Sequence, residues 1–330
     1  MSHIIRALDA RRYTKLILGA SFTDLPRLEA LIRAYVHTGI QCIDISAKPE
    51  VVSLAAQILE EEGRLDDVTL MVSFPLDEDP HFRKIQLDRD ACIDCSSCLS
   101  VCPTEVFSMP EGRLSVAAPQ CYGCNRCVPI CPTEALSLDP FSVMSGLAEA
   151  LSHPAVSAVE VHSTYADPAL VELLYESMGS VLAGKLVSVC FRPQVIERTQ
   201  AVDFIQAFAS RSELPVLIQV DGKPMSATDD IDASLPALDA ASSFAQALNQ
   251  ISKKTYLTVS GGINAHTAEL LKLPQYQAIQ GVGLGTTART WVWNLLDDPL
   301  QAQEARKKAD TLISVFHSQQ VSDHKAHNIG

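Results

Sequence analysis

Eight of the ten cysteines fall in two copies of one spacing, which restricts the structures that this part of the chain can form. Each copy reads C-x2-C-x2-C-x3-C-P, the arrangement with which bacterial ferredoxins hold [4Fe–4S] clusters. The copies comprise Cys92, Cys95, Cys98 and Cys102, and then Cys121, Cys124, Cys127 and Cys131.

The ligand sets follow from the spacing, because the fourth cysteine of each copy ligates the other cluster in two-cluster ferredoxins. One cluster is therefore predicted to be held by Cys92, Cys95, Cys98 and Cys131, and the second by Cys121, Cys124, Cys127 and Cys102. Zinc is an alternative, although a zinc site rarely shows this doubled spacing with trailing prolines. A disulfide framework would need an oxidising compartment.

Composition narrows the class of protein. The 330 residues fit one large domain or two modules, and 47% hydrophobic residues can form a sizeable core. A net charge of −13 argues against nucleic acid as a partner, because phosphates would be repelled. No apolar run approaches the roughly 18 residues of a membrane span. The start lacks the apolar region of a secretory signal, so a cytoplasmic location is expected.

Outside the cysteine segment, short β-rich runs alternate with helical stretches. The predicted strands are 16–21, 41–46, 69–74, 157–163, 186–192, 215–221, 256–260 and 278–283. The predicted helices are 26–37, 49–61, 141–152, 168–178, 194–210, 236–251, 265–273 and 286–295, followed by a further helix at 300–317. Eight βα units predict a closed (β/α)8 TIM-like barrel, with a doubly wound open sheet as the alternative.

The cysteine segment lies after the third strand, so a bacterial-type 2[4Fe–4S] ferredoxin module is predicted to be inserted there, over the barrel mouth. The alternative is that this loop is merely a tolerated insertion site. The predicted divisions are the first part of the barrel, the ferredoxin-like insertion, the second part of the barrel, and a C-terminal helix with a polar tail. They span residues 1–79, 80–140, 141–298 and 299–330.

Strand alternation predicts a polar barrel interior, whereas a structural barrel core would be aliphatic. Inward positions near the carboxyl ends of the strands supply candidate bases, counter-ions, and anion or proton partners. These catalytic candidates are Asp44, Glu160, His162, Arg192 and Asp221. Burying such groups without a use is costly, which indicates a ligand-holding mouth. The alternative is an internal ion-pair network that fixes the barrel register.

Glycine-rich segments end the seventh and eighth strands, where barrels often bind phosphate. The predicted cradle comprises Ser260, Gly261, Gly262, Gly283, Gly285 and Thr286. FMN or a phosphorylated metabolite is the expected ligand, and a flavin would join one-electron to two-electron chemistry. The alternative is that tight turns need these glycines for geometry alone.

The chain resembles the cyanobacterial light-dependent period (LdpA) family. The resemblance rests on KLILGASF from Lys15, on GIQCIDISAKPEVV from Gly39, and on the double cysteine run that follows. It implies an iron–sulfur protein that carries redox state, and thereby light intensity, to the circadian clock, with clock sensor kinases or oscillator proteins as partners. The eight cysteines are the positions that this resemblance carries over as cluster ligands.

Two functions therefore compete. The first is a redox sensor whose clusters equilibrate with a ferredoxin or quinone pool and alter docking to a partner. The second is an oxidoreductase, flavin-dependent or not, whose clusters supply electrons to a phosphate-bearing ligand at the barrel mouth. The resemblance favours the sensor, and the polar interior with its glycine cradle favours the enzyme.

Overall fold

The computed structural model describes residues 2–192, 196–222 and 230–317. Twelve strands lie within these ranges. They are β1 (Tyr13–Gly19), β2 (Cys42–Ser46), β3 (Thr69–Pro75), β4 (Arg83–Leu87), β5 (Phe107–Ser108), β6 (Ser115–Val116), β7 (Leu136–Pro140), β8 (Val156–His162), β9 (Leu186–Phe191), β10 (Val216–Asp221), β11 (Thr255–Ser260) and β12 (Gly281–Leu284).

Eight of these strands close into a parallel barrel in the order β1-β2-β3-β8-β9-β10-β11-β12, with β12 pairing back to β1. The predicted (β/α)8 barrel is thus confirmed, and the open sheet is wrong. The insertion after the third barrel strand is confirmed as well. Outward aliphatic residues of the strands pack beneath the helices in one continuous core.

The described helices surround the barrel. They are α1 (Ser2–Asp9), α2 (Leu25–Tyr35), α3 (Pro49–Glu61), α4 (Leu147–Ser152), α5 (Pro168–Leu182), α6 (Arg198–Arg211), α7 (Leu235–Ala245), α8 (Thr267–Leu270), α9 (Thr286–Val292) and α10 (Ala302–His317). Short 3-10 helices occupy Ser97–Val101, Pro110–Gly112, Ala118–Gln120, Gln246–Gln250, Pro274–Tyr276, Trp293–Leu295 and Pro299–Gln301.

Several helix predictions were too long, and two of them show why. The helix predicted at 141–152 begins only at Leu147, because Gly146 before it has a left-handed φ of +95°. The helix predicted at 265–273 shrinks to α8, and a 3-10 turn at Pro274–Tyr276 follows it. Residues 194–195, at the start of another predicted helix, lie outside the described residues.

Helix α1 was not predicted from the sequence, and it closes the amino end of the barrel. Its Ile4 and Leu8 pack against inward side chains at the beginnings of the strands, including Tyr13, Met71 and Leu217. This layer is apolar, so the polar interior begins one layer higher. The open end of the barrel is therefore the carboxyl end of the strands, beneath the insertion.

The insertion has its own small core and two antiparallel strand pairs, β4 with β7 and β5 with β6. Buried Lys84 on β4 ties it together, since its Nζ donates hydrogen bonds to the carbonyl oxygens of Ala118 (2.9 Å), Pro119 (3.0 Å) and Cys121 (3.1 Å). The backbone N–H of Thr23, in the first barrel loop, donates to the Pro119 oxygen at 3.0 Å. The insertion is thus docked against the barrel rather than tethered loosely.

Among the described helices, none is both long enough and apolar enough to cross a membrane.

Candidate functional site

The cysteines of the insertion surround two separate cavities, and each cavity holds one of the sets expected from the spacing. Cysteines 92, 95, 98 and 131 line the first cavity. Cysteines 102, 121, 124 and 127 line the second. The fourth cysteine of each copy thus lies with the first three of the other copy. The first cavity is near solvent, because Cys95 is exposed and Ile93 beside it is 63% exposed.

The backbone repeats every 29 residues around these cavities, as the doubled spacing requires. Positive φ values recur at equivalent positions, which are Asp94 and Gly123, Ser96 and Asn125, and Glu105 and Glu134. These conformations turn the chain tightly between ligands. Backbone N–H groups point at sulfur in both copies, from Val106 to Cys102 Sγ at 3.3 Å and from Ala135 to Cys131 Sγ at 3.2 Å. Four converging thiols with N–H donors to sulfur fit a [4Fe–4S] cluster in each cavity.

The second cysteine cavity shares a wall with the barrel mouth. Tyr122, between two cysteines of the second set, lines both cavities. The mouth cavity offers about 80 Å³ to the centres of water-sized molecules, several times what one water needs. Its lining includes all of the predicted cradle, namely Ser260, Gly261, Gly262, Gly283, Gly285 and Thr286.

Four of the five catalytic candidates also line the mouth cavity, namely Asp44, Glu160, His162 and Asp221. Arg192, the fifth, does not. It lies just after β9 and lines a smaller adjoining cavity with Asp79 and His81. The structure therefore brings together the two groups that the sequence suggested separately, the inward acids and the glycine cradle, with Arg192 beside them.

Two cradle glycines are required by geometry alone. Gly261 and Gly262 have φ values of +76° and +82°, and a Cβ at Gly262 would lie 2.1 Å from the Ala233 carbonyl oxygen. Gly285 is different, because a Cβ there would meet nothing closer than 3.9 Å. The glycine pattern by itself is therefore weak support for a phosphate site.

The stronger anion-binding feature is Arg289 on α9, which sequence reasoning did not select. Its residue is only 3% exposed, and its Nη1 donates to the Ile17 carbonyl oxygen at 2.7 Å. Its guanidinium stacks on the Tyr122 ring, 4.3 Å from the centroid. The described residues place no carboxylate within salt-bridge distance of it, and its buried Nε has no hydrogen-bond partner among them. Burial lowers the pKa of Arg289, and an uncompensated buried cation favours an anionic ligand.

At the floor of the cavity, Lys15 on β1 joins two of the predicted acids. Its Nζ bonds Glu160 directly and lies 3.5 Å from Asp44 Oδ2. Gln219 Nε2 and Ser188 Oγ also donate to Glu160, both at 2.8 Å. Burial would raise the pKa of Glu160, but Lys15 and His162 hold it below its usual value. The sequence did not identify Lys15 as an inward residue, because the predicted strand began at residue 16 and its alternation did not include Lys15.

The pH dependence of stability should report on Asp44. Burial raises its pKa to about 6, against the lowering effect of Lys15, while an unfolded aspartate titrates near pH 3.9. The folded state therefore holds more protons between these values. This contribution to stability is fully present below pH ~3.9 and is lost as the pH rises through about 6.

We expect Asp44→Asn to remove this contribution to the change of unfolding free energy with pH. From pH 5 to 6 the wild type should lose about 1 kcal/mol of unfolding free energy relative to the variant, because the folded-state Asp44 carboxyl becomes half ionised over this range. Denaturant midpoints of both proteins, measured anaerobically from pH 5 to 7, provide the check. Parallel curves would show that Asp44 keeps an ordinary pKa.

Comparison with known proteins agrees with this geometry. Residues 85–137 match the 4Fe-4S dicluster domain, so the fold and the site define an iron–sulfur protein built on a TIM-like barrel. Residues 150–325 match the Light dependent period A C-terminal domain. The chain is 33% identical to Light dependent period A of Synechococcus elongatus over 92% of its own length and 88% of that protein. The chain belongs to the Light dependent period A family.

A solved structure agrees on the fold. A Coccidioides immitis chain named a "putative fructose-1,6-biphosphate aldolase" has a TM-score of 0.50 at 10% identity, covering 97% of this chain and 96% of that one. At such low identity, the likeness extends to the barrel and not to its chemistry.

Proposed function

We propose that this protein is a cytoplasmic redox-sensing regulator that relays cellular redox or light state to the circadian clock through two [4Fe–4S] clusters. The observation that supports it most is that eight cysteines converge on two cavities in sets of four. The chain also belongs to the Light dependent period A family, and its residues 85–137 match the 4Fe-4S dicluster domain. When bound, clusters of this kind supply one-electron transfer.

The protein's own residues give the two sites different roles in this proposal. The first cysteine set opens to solvent beside Ile93, which suits electron exchange with a ferredoxin or quinone partner. The second set lies inside, where Lys84 fixes the cysteine loop and Tyr122 contacts the barrel. A change at the inner site would thus reach the barrel through Tyr122 and Arg289.

The proposal predicts redox-dependent binding to a clock sensor kinase or oscillator protein. The affinity of the purified partner, measured anaerobically for oxidised and for reduced protein, should differ by about 5- to 150-fold, the usual range of allosteric coupling. A Cys124→Ala variant should lose the difference. Equal affinities of the two redox states for every clock component tried would contradict a sensing role.

A second function is supported by the mouth cavity, and here we propose an oxidoreductase acting on a phosphate-bearing ligand. Arg289 supplies a buried cation without an acidic partner among the described residues, and Thr286 and Thr287 add hydroxyls to the same lining. Tyr122 lies between this cation and the second cysteine set. His162 and Asp221 could supply or accept protons within the same cavity.

Replacing Arg289 by methionine should weaken anion binding about 10- to 100-fold, because a charge-assisted hydrogen bond is lost. Arg27→Met is a matched control, since Arg27 stacks on Trp293 at the same 4.3 Å but is paired with Asp297. Calorimetric titration with inorganic phosphate and with FMN gives the affinities. Equal affinities in both variants, or no binding by wild type, would count against the site.

Small molecules released from anaerobically purified protein separate the two functions. A flavin or phosphorylated metabolite at one equivalent, absent from Arg289→Met, would favour the oxidoreductase. Iron and sulfide without an organic ligand would favour the sensor alone.

A further inference from the structure

Two imidazoles and a carboxylate converge where the insertion meets the barrel. Asp79 and His81 lie just before β4, and His162 ends β8. Asp79 Oδ1 is 2.7 Å from His81 Nδ1, and Asp79 Oδ2 is 3.8 Å from His162 Nδ1. One donor atom from each residue lies within 4.8 Å of the other two. None of these residues belongs to either cysteine set.

The far nitrogens of both rings face other carboxylates. His162 Nε2 is 3.4 Å from Glu160 Oε1, and His81 Nε2 is 3.6 Å from Asp221 Oδ2. In metal sites, a carboxylate behind the histidine fixes the tautomer and makes the ligating nitrogen more basic. With protons on both Nε2 atoms, the Nδ1 lone pairs are directed toward Asp79.

The cluster is also incompletely satisfied. His162 Nδ1 is buried and has no hydrogen-bond partner among the described residues. The His162 side chain is only 8% exposed. Leaving such a group without a partner is costly, and it points to a ligand that the protein chain does not supply.

We propose that Asp79 and the Nδ1 atoms of His81 and His162 bind a zinc ion. Two imidazole nitrogens and a carboxylate oxygen form a common zinc donor set, which leaves a fourth position open for water or substrate. All three ligands line the smaller cavity that Arg192 also lines, and both histidines line the mouth cavity that contains Arg289. Four carboxylates lie in this region, and Lys15 is paired with only part of their negative charge. A divalent cation would offset the remainder. The carboxylates are Asp44, Asp79, Glu160 and Asp221.

Zinc titration of the full chain tests this directly. Anaerobically purified protein with its iron in place is dialysed against a weak chelator and then titrated with Zn²⁺. We expect one equivalent to bind, with a first shell of nitrogen and oxygen only, at about 2.0–2.1 Å in the zinc X-ray absorption spectrum. Iron absorbs at a different edge, so the cysteine sites do not interfere.

Variants assign the ligands. Asp79→Asn and His81→Ala should each weaken zinc binding by more than about 100-fold, and Asp221→Asn, behind His81, by about 10- to 100-fold. His37→Gln is the control, because His37 is also paired with a carboxylate, Glu62 at 2.8 Å, but is exposed. It should leave zinc affinity unchanged. Iron content and thermal midpoint report whether each variant folds.

Three results would overturn the proposal. They are no stoichiometric zinc in wild type, a sulfur shell at about 2.3 Å, or zinc affinity unaffected by Asp79→Asn. The first would leave these residues as an ion-pair network with both rings protonated. Each outcome is independent of the redox function, because cluster content is followed separately by iron and sulfide analysis.

Discussion

Replacing Cys131 by alanine should remove the same cluster as replacing Cys95, although Cys131 is only four residues from Cys127 in the sequence. The reason is the crossing of the chain, since Cys131 lines the cavity of Cys95 and not that of Cys127. Each variant should retain about four of roughly eight irons and give one identical spectrum by electron paramagnetic resonance (EPR).

The reciprocal pair should behave in the opposite way. Cys102→Ala and Cys124→Ala should lose the other cluster, because both cysteines line the second cavity. Cys42→Ala is the control, since Cys42 lies in the apolar layer at the closed end of the barrel. A Cys131→Ala spectrum that matches Cys124→Ala would contradict the crossing. Loss of all iron in every single variant would contradict two separately held clusters.

The second large effect is expected at Lys15. Lys15→Met leaves Glu160 and Asp44 buried without their cation, and breaking a buried ion pair in this way costs about 3–5 kcal/mol. The thermal midpoint should fall by roughly 6–15 °C. Adding Glu160→Gln should restore part of the loss, because one buried charge is then removed as well.

Lys254→Met provides the comparison on the surface. Lys254 pairs with Asp9 at 2.8 Å, but both side chains are more than half exposed. Such an exposed pair contributes little to stability, because water screens both charges. Equal shifts in the two lysine variants, measured by thermal denaturation at constant iron content, would show that the interior network is not structurally important.

The barrel and the grouping of the cysteines are predictable from the sequence because their signals are local. The strand alternation around Asp44 and Glu160 and the doubled spacing from Cys92 are periodic over short stretches. The partners of those residues are not local. His81 faces Asp221 from 140 positions away, and only closure of the barrel brings them together.

The features that could not be predicted from the sequence also depend on contacts between distant parts of the chain. In the sequence, Arg289 looks like an ordinary arginine of a helix. Only the fold shows that it is buried against Tyr122. Helix α1 is short, and its apolar face is meaningful only because the barrel end needs covering. The ligand of the barrel mouth depends on side chains from several strands. The spacing of residues along the chain therefore could not predict whether the mouth binds zinc, phosphate or neither.

If two [4Fe–4S] clusters lie in series above the barrel mouth, an anaerobic redox titration followed by EPR should detect both of them. We expect about eight irons and eight sulfides per chain and two reducible cubane signals whose spins interact. A protein that contains zinc on its cysteines, or that shows no reducible cubane signal under strong reductant, would contradict this expectation.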